Sequence, residues 1–162
     1  MKVDCDFPGG NRYAAVRAIR EIVPAWGADR LRMVLDVHCP YIRDRGSGYS
    51  HNESIFFVGA RNPDVWLETA RFSNLLADRI RGPIPHDPSD NVPFGEKWNV
   101  PATYSKGKSC KEWGAELPGV KVAATLEVAY ANARGAEVNA ESARAFGADL
   151  ARAMCAWLRE DE

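Results

Sequence analysis

Two apolar runs in this chain end beside groups that seek water or a metal, and helix-patterned segments separate them. Residues 31–37 carry Leu31, Met33, Val34, Leu35 and Val37 and lead straight into His38. Residues 120–128 carry Val120, Val122, Ala123, Ala124, Leu126 and Val128, with Glu127 near the end. Short apolar runs of this kind read as strands covered on both faces. Strands alternating with helices restrict the chain to the α/β class, here a mixed, mostly parallel sheet flanked by helices. In open sheets of that class, sites gather where strands end, so His38 and Glu127 are expected on one rim.

The rest of the pattern fills in this frame. Residues 13–26 repeat Val16, Ile19, Ile22, Val23 and Trp26 at helical spacing and predict an amphipathic helix with those residues inward. Ser54-Ile55-Phe56-Phe57-Val58-Gly59 predicts a short strand. Asn62-Pro63-Asp64 is a helix-start signal: an amide that can cap, a proline suited to the first position, and an acid at the positive end of the dipole. Trp66, Thr69, Phe72, Leu76 and Ile80 give that helix its buried stripe. Residues 82–101 are rich in Pro, Gly, Asp and Asn and predict one long loop, a feature usually functional or mobile. Asn139 is expected to cap a final helix with Ala143, Phe146, Leu150, Met154 and Trp157 facing inward.

At 162 residues the chain amounts to one domain or part of one. The formal net charge of -1, with no lysine or arginine block, gives no footing for a nucleic-acid or membrane-surface partner. No long apolar segment occurs near Met1, and Cys5, Cys39, Cys110 and Cys155 form no closely spaced pair. The expectation is a soluble, cytoplasmic chain with reduced thiols.

Three stretches, Leu35-Asp36-Val37-His38-Cys39-Pro40, Tyr104 to Trp113, and Ala124-Thr125-Leu126-Glu127-Val128, together resemble the carboxypeptidase A-like family of zinc metallopeptidases. The resemblance covers nearly the whole chain and corresponds to the back part of the family's catalytic domain, lacking the N-terminal strands. It implies a peptide substrate trimmed at its C-terminus and a zinc ion with His38 as one ligand. It also implies Glu127 as the residue that takes a proton from water and gives it to the leaving amine. Tyr104 would sit on the loop that covers the substrate. Lys111, in the segment matching the specificity-pocket wall, would favour acidic or polar terminal side chains.

Two departures follow from the same comparison. The family's first metal motif, H-x-x-E, occurs nowhere before His38. The pair Asn-Arg that grips the substrate's terminal carboxylate is replaced by Asp4-Cys5, with Asn11-Arg12 falling later. Arg43 and Arg45, just past His38, are candidates to replace that cation, because guanidinium forks bind carboxylates bidentately. The expectation is therefore a partial domain whose missing N-terminal half would be its partner.

Alternatives stay open. The related activity is removal of acyl groups from N-acyl-amino acids. His51-Asn52-Glu53, if extended, would direct His51 and Glu53 the same way and with His38 make a second metal site. A degenerate relative, or a non-catalytic α/β module recognising a partner through Phe94, Trp98 and His86 in the long loop, is the reading from another class.

Overall fold

The computed structural model describes residues 13–27, 30–41, 51–104 and 107–160. Arg43 and Arg45, like Cys5 and Asn11-Arg12, lie outside the described residues. In chain order the main elements are α1 (Ala14–Gly27), β1 (Met33–His38), β2 (Phe56–Gly59), α2 (Pro63–Arg79), α3 (Cys110–Gly114), β3 (Val122–Glu127), the short β4 (Asn132–Ala133) and β5 (Ala136–Glu137), and α4 (Ala140–Glu160).

Strands β1, β3 and β2 form one sheet in that order, so the architecture is α/β as the pattern of runs implied. Arg32 O accepts from the N–H groups of Lys121 and Val122 at one end of the first pair, and His38 O accepts from Val128 N–H at 2.8 Å at the other. Both positions advance together along the chain, which makes β1 and β3 parallel. The central strand β3 is buried at all six positions, whereas β1 is only half-buried and its last two residues are exposed.

The chain divides into two compact units. One comprises residues up to Asp36 with Val58–Thr69 and Val92–Thr125; the other comprises Val37–Phe57, Ala70–Asn91 and Leu126 onward. In the first unit, Val34, Val65, Val120 and Ala123 pack together, and Val16 and Trp113 pack with Val23 and Leu117. Gly59 is needed there for close approach, since a Cβ on it would lie 2.3 Å from the Trp66 ring. In the second unit, the edge of Phe57 meets Phe72 at 5.7 Å and the His86 ring at 5.4 Å between centroids. Leu76, Ile84, Phe146 and Trp157 are buried in that unit too.

Helix starts fall where the capping chemistry placed them. Asn62 Oδ1 accepts from Asp64 N–H at 3.0 Å, and Asn139 Oδ1 accepts from the N–H groups of Glu141 and Ser142, also at 3.0 Å. Two stripes differ from expectation. In α1 the inward residues are Val16, Val23 and Gly27, while Ile19, Ile22 and Trp26 are exposed. The apolar positions make two adjoining stripes, and a helix on one neighbour buries only one. In α4 the buried residues are Ser142, Phe146, Asp149, Ala153 and Trp157, and Ala143 is exposed. The polar members are inward because each has backbone partners: Ser142 Oγ donates to Glu137 O at 2.8 Å, and Asp149 accepts from the N–H groups of Arg81 and Gly82 at 3.0 Å each.

The long loop is pinned by buried side chains. Within the second unit, His86 Nδ1 lies 3.0 Å from Ile55 O and Nε2 lies 2.8 Å from Ser73 Oγ, while Asn91 Nδ2 donates to Ser73 Oγ and Asn91 Oδ1 accepts from Phe57 N–H. The arrangement fits a neutral ring with its proton on Nδ1, donating to the carbonyl and accepting the serine proton. Arg134 braces the same loop through Asp90 and Asp87, from a hairpin turn in which Arg134 and Gly135 both take positive φ. His86 is therefore interior and does not belong to a recognition surface. Among the described residues no helix is long and apolar enough to cross a membrane.

Burial pushes the His86 ring below its ordinary value, the hydrogen bond to Ile55 and the nearby Asp90 and Asp87 opposing. The folded chain keeps His86 neutral at a pH where the unfolded chain takes up a proton. Its contribution is complete above the free-histidine value of about 6.5 and is lost as pH falls from there toward the lowered folded value. Urea unfolding at pH 8 and pH 5 should show lower stability in acid, and His86→Asn should flatten that dependence.

Candidate functional site

His38 is the last residue of β1 and Glu127 the last of β3. Because the strands are parallel and His38 O is bonded to Val128 N–H, the two side chains leave the same end of neighbouring strands. His38 Nε2 stands 3.2 Å from Glu127 Oε1. The two side chains differ sharply in environment, with 44% of the imidazole exposed against 7% of the carboxylate. Among the described residues Glu127 Oε2 has no hydrogen-bond partner. Natural structures rarely leave a buried carboxylate oxygen without a donor, and the exceptions are often sites of chemistry. The pair can carry a proton between an exposed ring and a buried base.

Lys111 and Tyr104 form a second cluster, in the first unit. Lys111 is 1% exposed, with Nζ 3.3 Å from Asn99 Oδ1, 3.5 Å from Glu112 Oε1 and 4.2 Å above the centre of the Tyr104 ring. Burial lowers the Lys111 amine from the ordinary lysine value, and Glu112 works against that shift. Tyr104, in a short 3-10 turn (Pro101–Tyr104), donates its hydroxyl to Asn99 Oδ1 at 2.8 Å. Glu112 Oε1 also accepts from Arg61 N–H at 2.9 Å, and Arg61 lies over the Phe94 ring. The structure thus pairs His38 with Glu127 and, separately, Lys111 with Tyr104.

Asn99 was not singled out by sequence reasoning, yet it organises this cluster. Its Nδ2 donates to Gly59 O and Val92 O, at 2.9 and 3.2 Å, while its Oδ1 serves Tyr104 and Lys111. Its only sequence signal is an amide after Trp98 in a proline-rich segment, which resembles any turn residue.

The zinc implied by the resemblance was tested against the donors at hand. The His38–Glu127 pair supplies one imidazole and one carboxylate, whereas catalytic zinc takes three protein ligands. Among the described residues no group of three His, Cys, Asp or Glu side chains is placed to hold a metal. These donors do not make a zinc site by themselves. The alternative built on His51 and Glu53 assumed an extended segment, whereas the backbone of His51–Glu53 forms a 3-10 turn. Cys39, Cys110 and Cys155 are free thiols.

Removing Asn99 would take one donor each from Gly59 O and Val92 O and leave the buried Lys111 amine with Glu112 as its remaining polar partner. Asn99→Leu should cost about 3 kcal/mol in chemical denaturation, while Tyr104→Phe, which removes one hydrogen bond, should cost about 1 kcal/mol. Equal, small losses would refute the central place given to Asn99. No protein-family model, no curated protein and no solved structure matches this chain.

Proposed function

We propose that the chain carries the catalytic glutamate of a carboxypeptidase A-like hydrolase, acting on a C-terminal peptide bond or on the related amide of an N-acyl-amino acid. The observation that carries this reading is the joining of His38 and Glu127 at one strand rim, with a buried, unpartnered carboxylate oxygen beside an exposed imidazole.

In this reading Glu127 takes the proton of the attacking water on Oε2 and returns it to the leaving amine. His38, on Oε1, holds the carboxylate in one orientation. Zinc belongs to the reading as the family's metal, but His38 and Glu127 alone do not complete its ligand set. The remaining ligands would have to come from residues beyond those described or from a second chain. By the resemblance, Lys111 would bear on selectivity, a cation there favouring acidic terminal side chains, and Tyr104, whose hydroxyl is held by Asn99, would cover the substrate.

One observation favours a second reading. The 3.2 Å contact lets His38 and Glu127 satisfy each other directly, as expected of a degenerate relative that retains the fold without turnover. The two readings separate in one experiment: the natural full-length protein, with and without zinc, offered blocked dipeptides ending in glutamate and N-acyl-glutamate. The hydrolase reading expects release of glutamate, with Glu127→Gln lowering kcat by about 10²- to 10⁴-fold at an unchanged melting temperature. It also expects His38→Ala to weaken zinc retention. Absence of hydrolysis from either substrate, with zinc bound no better than by His38→Ala, would leave the degenerate reading standing.

A further inference from the structure

The end of α2, the turn after it and the last turns of α4 line a groove of about 520 Å³, with Arg79, Arg81, Arg152 and Arg159 around it and Ala151 and Ala156 in its wall. All of these residues belong to one compact unit. None of them enters the reading of His38 and Glu127.

The groove is built on a buried carboxylate. Asp149, fully buried, accepts from the N–H groups of Arg81 and Gly82 at 3.0 Å each and pairs with the Arg152 guanidinium. A Cβ on Gly82 would meet Ala145 Cβ at 2.9 Å, so turn and helix are in close contact. Asp149 therefore fixes both the backbone that presents Arg81 and the head group of Arg152. It neutralises only one of the four cations. Among the described residues no acidic side chain pairs with Arg79, Arg81 or Arg159. The neighbouring Glu160 pairs with Arg71 at 2.7 Å.

Gathering four guanidinium groups around one concavity is electrostatically unfavourable unless an anion joins them. Planar forks in a concave site with an aliphatic wall suit a ligand with several oxygens in a compact, multiply charged head. We propose that this groove binds a small phosphate-bearing anion, such as a phosphomonoester or diphosphate. Arg79, Arg81 and Arg159 contact its oxygens, and Asp149, which holds the Arg81 backbone and the Arg152 guanidinium, serves as the positioning residue.

The test is titration of the whole chain with pyrophosphate by calorimetry, with potassium chloride adjusted to constant ionic strength so that general screening does not change. Arg79→Gln/Arg159→Gln removes two exposed groove cations with little effect on the melting temperature. Arg144→Gln, on an exposed face of α4 outside the groove, is the charge-matched control for the single variant Arg159→Gln. The expected result is saturable binding that weakens at least tenfold in the double variant and is unchanged in Arg144→Gln. The single variant Arg159→Gln should show an intermediate loss. Binding that never saturates, or that the double variant keeps at full strength, overturns the proposal.

Discussion

The parallel pairing of β1 with β3 is the constraint on which the functional reading rests. A hydrogen bond from Val128 N–H to His38 O fixes the register at one end, and Arg32 O fixes it at the other. In a strand the side-chain period is two, so a slip of one residue would turn Glu127 to the opposite face and away from the imidazole. Both faces of β3 are buried, so such a slip would seat Ala123, Thr125 and Glu127 where Ala124 and Leu126 pack, and the reverse. Register, and with it the His38–Glu127 contact, is thus set by the different side chains packed on the two faces of the central strand.

Around that pairing, the irregular parts of the chain are held by single buried polar residues. Asn99 ties its segment to Gly59 O and Val92 O and gathers Lys111 and Tyr104. His86 and Asn91 tie theirs to Ile55, Ser73 and Phe57. Asp149 holds the turn at Arg81 and Gly82. Each spends much of its hydrogen-bonding capacity on backbone groups of neighbouring segments, and leaving such a buried group without a partner costs about 1–3 kcal/mol. A loop with many prolines and glycines is thereby kept in one conformation.

The outline of this fold was legible from apolar periodicity and capping residues alone. Asn62 and Asn139 mark their helices, and the runs through Val34 and Ala124 mark strands. The two ends that carry His38 and Glu127 follow from the α/β rule for strand termini. What was not legible shares one physical cause: polar residues that point inward. Ser142, Asp149 and Asn99 look like surface residues in a pattern of hydrophobicity, and only the tertiary backbone groups they meet explain their burial. The exposed Ile19, Ile22 and Trp26 are the converse, apolar residues on a helix stripe that stays about half or more open to solvent. Lys111, which the resemblance assigns to a pocket wall, is a buried amine in the fold.

If the strand rim is where chemistry occurs, His38 and Glu127 act as one unit and not as two neighbours. A double-mutant cycle in urea, with His38→Ala, Glu127→Ala and the two combined, measures this directly. The account predicts a coupling free energy of about 0.5–3 kcal/mol between the two sites. Losses that simply add, within about 0.3 kcal/mol, would contradict it.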